Sequence, residues 1–458
     1  MRLSLGRIAE FTSGQGEFDH EACPIGYSID SRTVQPGELF VAVKGERLDG
    51  HDYVEAAMRQ GAVAAVIARQ QTQRYAGKKG LIVVEDTLLA LQTLGAAMRR
   101  LWNKPLIAVT GSAGKTSTKD AIAHLLAKRF RVLSSQGNMN NHFGLPLQLL
   151  KLEPQHEMAV VELGMSHSGE IAALARIARP DAGVVTCVAP VHLENFNDVA
   201  DIARAKFELI ESLPAGGLAV LNADDAYVSQ FGRDFHGTVV TFGIEHPADV
   251  RAEDVQVLPD GSSRFRLVVE GMQEEARLPL IGKHNIMNAL AAAAVALQYK
   301  LAPSEVVAAM AGLQPAEKRG ETLHLAGATL INDCYNSNPV ALRSMVDALA
   351  AMQATRRIAV AGEMLELGPA AEQLHAECGS YMAGKVDVLI GVRGAASSMV
   401  RAAHEAGVEA HFVPAPEDAG QMLAQRLRAG DVVLFKASRG VRLEKALETL
   451  QQALGVRA

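Results

Sequence analysis

The pattern of apolar and polar positions changes character once between residues 105 and 126, and that change orders the rest of the chain. PLIAV is a short apolar run of the length that fills a buried strand. A tight turn with Gly111 and Gly114 follows. From Thr116 onward Ala121, Ile122, Leu125 and Leu126 recur on one stripe, which predicts a helix.

The same two periods predict the flanking elements. GYSIDSRTVQPGELFVAVKG reads as two strands around a Pro36-Gly37 turn. HDYVEAAMRQGAVAAVIA reads as a helix leading into a strand, and GLIVVEDTLLALQTLGAAMRRLW as a strand leading into a helix. Downstream, strands are expected at 132–134, 158–163 and 183–188, with a polar loop QGNMNNHFGLP and a helix over 169–178. Such alternation implies a parallel sheet with ligands at the carboxyl ends of its strands. Past Asn222 the pattern turns β-rich: Asp260-Gly261 precedes the alternating Phe265, Leu267 and Val269, a hairpin signal, and a helix over 286–299 closes the unit. From Arg319, apolar runs near Thr329, Ile358, Val388, Ala410 and Val432 alternate with helical stretches. VAGEMLELG is no dinucleotide fingerprint, so this part is Rossmann-like by order of elements alone. The fold expected is α/β in three domains. A small N-terminal α/β module covers 1–103, a central P-loop parallel-sheet domain 104–318, and a C-terminal Rossmann-like domain 319–458.

Bulk properties narrow the partners. A chain of 458 residues exceeds one ordinary core, in line with several domains. A net charge of −6 argues against nucleic acid, so a polyanionic ligand has to be met by local cations, glycine loops or metal. Cys23, Cys187, Cys334 and Cys378 show no paired spacing, which predicts neither zinc site nor disulfide and fits a reducing cytoplasm. MRLSLGRIAE lacks an apolar signal core, and the run 289–297 is too short to cross a bilayer. A cytosolic chain without a membrane span is expected.

The strand, glycine turn, Lys115-Thr116 and helix together give the context of a phosphate loop. Glycines let successive N–H groups converge on an anion at the positive end of a helix dipole. Lys115 supplies a cation and the Thr116 hydroxyl a magnesium ligand. The bland alternative is a βα turn with a surface lysine. Val109 stands where the full Walker A pattern has glycine, leaving the shorter TG-x-x-GKT form. Glu162 ends the apolar strand MAVVE, either as a metal carboxylate or as a solvated strand end. His192, in VAPVHLENF, is a packing histidine or a ligand on the same sheet edge. Lys206 breaks the stripe of Val199, Ile202, Ala203 and Ile210; it either snorkels to water or is a desolvated amine. Asn285 and Asn288 share a helical face, though Asn285 alone could be a cap. Arg319 is a phosphate fork or a solvated charge, and DCYNSNP serves turn or ligand chemistry equally.

Taken in order, TGSAGKTS, VELGMS, the His192 segment, ARAKFE, GKHNIMNA, EKRGE and DCYNSNP resemble the Mur ligase family over nearly the whole chain. The segment DSRTVQPGELFVAVKGERLDGH resembles the late members of that pathway. DCYNSNP, VAGEMLELG and VLFKASRG look most like the members that add D-alanyl-D-alanine, with KASR where Lys-Gly-Ser-Arg is usual and YNSNP where Tyr-Asn-Ala-Asn-Pro is usual. The resemblance implies an ATP-dependent, ADP-forming ligase that joins D-alanyl-D-alanine to UDP-N-acetylmuramoyl-tripeptide through an acyl phosphate in cytoplasmic peptidoglycan precursor synthesis. It implies that Gly111, Ser112, Ala113, Gly114, Lys115, Thr116 and Ser117 hold ATP, together with Asn285, Arg319 and Asp333 from two domains. Two Mg²⁺ ions are implied, one on Thr116 and Glu162 and one on His192 and a carbamylated Lys206. Lys115, Glu162, His192 and Lys206 then form the catalytic set. Ser31 and Arg32 would serve the uridine-diphosphate pocket, and Asn140 and Asn141 the sugar-peptide. The partners implied are small molecules and not nucleic acid, with the protein a monomer whose third domain closes over the site. The rival readings are the preceding, diamino-acid-adding ligase, whose Asp-Asn-Pro-Arg signature is absent, a folylpolyglutamate synthetase, and a P-loop regulatory ATPase.

Overall fold

The structure, a computed structural model, describes residues 2–191 and 193–455. Three sheets carry the architecture. The first has four parallel strands in the order Tyr27–Ser28, Leu39–Val41, Ala64–Ala68, Leu81–Val84. The Pro36-Gly37 turn therefore joins two parallel neighbours, and their contact is only two residues long. Ahead of them lies a helix, Leu5–Thr12, for which the sequence reading offers no element; Ser4 caps it and Leu5, Ile8 and Ala9 are its buried face.

The second sheet has nine strands. Its phosphate-loop strand, Leu106–Thr110, lies between Met158–Glu162 on one side and Ala182–Val185 on the other, all parallel. From that strand the chain crosses to the sheet's edge at Val132–Ser134, returns through Met158–Glu162, and then continues on the far side. The Leu106–Thr110 strand is thus a switch point, where a doubly wound sheet opens a crevice at its carboxyl ends. The expected hairpin is present: Val250–Val257 and Ser263–Val269 pair antiparallel, and Asp260 Oδ1 accepts from Ser262 N–H (3.0 Å) and Oγ (2.6 Å) to fix the turn. Part of the expected polar loop is instead the helix Gly144–Leu149, whose Leu145, Leu147 and Leu149 are buried. The helix Lys283–Gln298, in which the alanines at 291–294 are all buried, packs against the helix Lys115–Leu126. Its apolar run is thus core. Among the described residues no helix is long and apolar enough to cross a membrane.

The third sheet has six strands. Five are parallel, in the order Ala328–Asn332, Asp431–Lys436, Arg356–Gly362, Val388–Val392, Glu409–Val413, and Glu321–Leu325 adds an antiparallel edge. That edge strand was not separable by pattern from the EKRGE loop before it.

The N-terminal helix Thr87–Trp102 shares one core with the second sheet. Arg99 is the polar tie. Buried, it donates from Nε to the Ala178 carbonyl (2.8 Å) and from Nη2 to the Arg179 carbonyl (3.0 Å) and Asp181 (2.9 Å), while Asp181 also accepts the Leu106 N–H (2.9 Å). Replacing Arg99 by Met keeps the stem and strands these acceptors. We expect a loss of about 2–3 kcal/mol, read as a lower urea midpoint at unchanged m value; an unmoved midpoint would show that this tie contributes nothing.

Candidate functional site

The glycine turn is held from behind. Thr186 Oγ1 donates to the Ala113 carbonyl at 2.6 Å, Ser112 N–H to the Cys187 carbonyl at 2.9 Å, and Ala189 N–H to Ser112 Oγ at 2.9 Å. This is why the strand expected to reach residue 188 stops at Val185: the next residues turn their hydrogen-bonding groups to the loop. The approach is close enough to demand glycine. A Cβ on Gly111 would lie 1.8 Å from Thr186 Oγ1, and one on Gly114, at φ +79°, would lie 2.4 Å from Asn288 Oδ1. Lys115 Nζ reaches back across the turn to the Gly111 carbonyl at 2.8 Å.

Glu162 meets the loop from the neighbouring strand. It is 3% exposed, and its Oε2 accepts from Thr116 Oγ1 at 2.6 Å while Oε1 accepts from Asn140 Nδ2 at 2.7 Å. A buried carboxylate beside a hydroxyl is an oxygen donor set that fits a hard divalent cation. Lys206 lies on the helix Val199–Glu211 and is 2% exposed, and its amine makes no hydrogen bond to a described residue. It does not snorkel. Burial, and then the nearby positive charge of Lys115, push its amine down to about 7. His192 lies outside the described residues.

A cleft of about 1320 Å³ runs in front of the loop and is lined by all three sheets' domains. Gly114, Lys115, Thr116, Ser117, Glu162, Asn140 and Asn141 line it from the centre, and Arg319 and Asp333 from the third domain. Asn285 lines it too, but is not a cap: Gly282 holds that place, and Asn285 Nδ2 donates to the Ile281 carbonyl (2.9 Å) while its Oδ1 accepts from Asn288 (3.1 Å). The Arg319 guanidinium stacks 4.0 Å over the Tyr335 ring. Asn141 Oδ1 accepts the Phe143 and Gly144 N–H groups (3.2 and 2.9 Å), so its carbonyl end is used locally. Ser31 and Arg32 do not line the cleft; Ser31 is buried, and Arg32 forks onto Asp30, holding that carboxyl below its usual range.

Sequence reasoning passed over two residues here. Lys436 ends a buried strand and donates to Asp333 Oδ2 (2.5 Å) and the Asn336 carbonyl (3.1 Å). The available signal was a lysine closing the apolar run VVLF, the same strand-end logic that flagged Glu162. His284 lies near both Asp333 and Lys436, and burial drives its imidazole down to about 4.

The comparisons with known proteins match all three regions. The Mur ligase family, catalytic domain, matches residues 26–127; the Mur ligase middle domain 109–296; and the Mur ligase, glutamate ligase domain 318–439. The UDP-N-acetylmuramoyl-tripeptide–D-alanyl-D-alanine ligase of Bacillus subtilis (strain 168) is 34% identical over 431 residues, 93% of either chain. A crystal structure of MurF from Acinetobacter baumannii superposes with a TM-score of 0.88 at 28% identity, covering 99% of both chains. A MurF ligase from Thermotoga maritima in complex with ADP gives 0.84 at 29%, covering 94% of this chain and 98% of that one.

Gly114→Ala tests the loop. The strain and the clash with Asn288 should weaken binding of a fluorescent ATP analogue at least about tenfold with the circular dichroism spectrum retained. Unchanged affinity would mean that this turn does not hold phosphate.

Proposed function

The chain belongs to the Mur ligase family, and from that membership we propose that it is an ATP-dependent, ADP-forming ligase that adds D-alanyl-D-alanine to UDP-N-acetylmuramoyl-tripeptide in peptidoglycan precursor synthesis. The observation that carries the reading is the meeting, in one cleft, of the pinned glycine loop, buried Glu162 and the third domain's Asp333–Lys436 pair. The relatives' substrates supply its specific form. A cytoplasmic setting follows from nucleotide-linked, soluble substrates.

The chemistry the residues have to perform is definite. A peptide carboxylate at neutral pH is a poor electrophile, so its oxygen first takes the γ-phosphoryl group of ATP, releasing ADP. The amine of the dipeptide then attacks the acyl carbon; the C–N bond forms, phosphate leaves, and the amine's proton is lost. Both partners of the first step are anions. The N–H groups of 113–116 and Lys115 Nζ neutralise the phosphate side. Thr116 and Glu162 would hold one magnesium ion, which when bound offsets the charge gathered between the two anions. Asn285, Arg319 and Asp333 are assigned to the nucleotide, and Asn140 and Asn141 to the sugar-peptide. Asn140 has a second duty in this reading, since its amide also orients Glu162. Ser31 and Arg32 are assigned to the uridine-diphosphate end, away from the cleft proper.

A second magnesium site on Lys206 does not fit an ammonium. It fits a carbamate: the neutral amine attacks CO₂, an N–C bond forms, a proton is released, and a positive group becomes a carboxylate-like ligand. An amine held near 7 has the free pair that this step needs.

Two measurements test these assignments. Phosphate release with UDP-N-acetylmuramoyl-tripeptide should require D-alanyl-D-alanine and stay near background with single amino acids; an equal response to a diamino acid would favour the preceding ligase. For Lys206 the folded pKa of about 7 lies below the unfolded value, so the neutral amine accumulates as pH rises through 7. In ¹³C-bicarbonate buffer a carbamate resonance should therefore grow between about pH 6 and pH 8, and be missing in Lys206→Arg. A spectrum that Lys206→Arg leaves unchanged would exclude the modification.

A further inference from the structure

Lys119 is a second lysine where an apolar residue is due, and no role assigned so far uses it. It stands on the helix Lys115–Leu126 in one stripe with Ile122 and Leu126, a turn past Thr116, and is 3% exposed. A buried ammonium is unfavourable unless it is paired. Lys119 Nζ has two partners. It donates to the Ser135 carbonyl, on a different element, and it meets Asp120 Oδ1 at 2.7 Å. The Asp120 side chain is 42% exposed and belongs to the next residue along, so it needs no lysine drawn into the core to stay solvated. The Ser135 carbonyl is the partner that accounts for the direction the side chain takes.

Ser135 is where the chain leaves the strand Val132–Ser134 for the loop that carries Asn138, Asn140 and Asn141 to the cleft. Its N–H still pairs with the Val160 carbonyl at 3.0 Å, and its Oγ accepts the Glu162 N–H at 3.3 Å. The strand ladder thus fixes the near side of the residue only. Its carbonyl belongs to the next peptide plane, and that plane sets the direction in which 136–143 departs. Lys119 holds the plane by a charge-assisted hydrogen bond. Further along, Gln136 N–H donates to Oε1 of buried Gln148 at 3.2 Å, and Gly164 N–H to the Asn140 carbonyl at 2.9 Å. The contacts close a ring. Thr116 and Asn140 meet on the Glu162 carboxylate at 2.6 and 2.7 Å, the chain runs from Asn140 back to Ser135, and Lys119 returns it to the helix of Thr116.

We propose that Lys119 is a positioning residue for the sugar-peptide: from the phosphate-loop helix it sets the course of loop 136–143, and with it the places of Asn140 and Asn141. The inference rests on the ligase reading above and on its assignment of those two asparagines. The glycine turn does not depend on this tie, since Thr186, Cys187 and Ala189 hold it from behind. The Asp333–Lys436 pair belongs to another domain. Loss of the Lys119 amine should therefore act on one substrate out of three.

The test uses the full-length protein and steady-state kinetics in each substrate. Lys119→Met keeps the stem and leaves the Ser135 carbonyl without its donor. It should raise the KM for the UDP-tripeptide about tenfold, the scale of one hydrogen bond to a charged group. KM for ATP and for D-alanyl-D-alanine should move less than about twofold. Lys119→Gln, whose amide is one bond too short for Ser135, should give the same split. Asp120→Ala leaves the Ser135 bond in place and should keep all three constants within about twofold of wild type. A rise shared by all three substrates makes Lys119 a residue of the fold and overturns the proposal. So does an unchanged KM for the UDP-tripeptide in a Lys119 variant with the wild-type circular dichroism spectrum, or an equal effect in Asp120→Ala. If neither Lys119 variant folds, the lysine serves the fold itself and the proposal falls as well. Wild-type protein that makes no product from these substrates overturns the ligase reading instead, and that failure is seen before any variant is made.

Discussion

The carboxylate of Glu162 receives Thr116 on one oxygen and Asn140 on the other and is almost removed from water. Burying a charge in that way is unfavourable unless something of opposite sign comes to it. The Lys115 amine lies on the glycine turn next to Thr116, and burial together with the charge of Lys115 depresses the Lys206 amine. Negative and positive groups are thus gathered before any ligand arrives, each poorly compensated alone. That imbalance is the preorganisation that a reaction between two anions needs: the surroundings are already paid for in folding, and little has to reorganise when phosphate enters.

Packing makes this arrangement possible. Three parallel strands end together at the switch point, and each gives its next residues to the site: the turn 111–114 from one, Glu162 from the second, Thr186 and Cys187 from the third. The glycines are a consequence of how closely these ends approach, since Thr186 and Asn288 occupy the space where side chains would stand. Arg99 and Asp181 extend the constraint outward, so that the N-terminal helix is bonded to the start of the phosphate-loop strand.

Much of this is legible in one sequence because buried strands and amphipathic helices leave periodic signatures. The strands at 132–134 and 158–162, the hairpin at Asp260-Gly261 and the five parallel strands of the last sheet all stand where the apolar pattern puts them. Lys206 was legible as a broken stripe, though only burial decides between an ammonium in water and a desolvated amine. Other features left no periodic trace. The two-residue strand Tyr27–Ser28 is too short to alternate, and its pairing is parallel, which no turn residue encodes. The helix at 144–149 hides inside a polar loop because Asn141, whose Oδ1 accepts the Phe143 and Gly144 N–H groups at its start, reads as loop chemistry. Asn140 was assigned by resemblance to the sugar-peptide, while the distance that links it to Glu162 spans 22 residues of sequence and exists only in the fold.

The cleft divides its work between its walls. The central domain carries a loop whose backbone is pinned, whereas the third domain carries side chains that pair among themselves: Lys436 on Asp333, Arg439 on Glu444, Arg319 over Tyr335. A pinned backbone cradle suits a ligand common to every turnover, since its geometry is set by strand ends that cannot move independently. Side-chain pairs can exchange one partner for another at small cost when a substrate brings its own charge. Asp333 illustrates the point, because the Lys436 amine satisfies its Oδ2 through a side-chain contact alone. The proposed reaction needs water kept from the activated carboxyl until the amine is in place, and both walls border the cleft in which that has to happen.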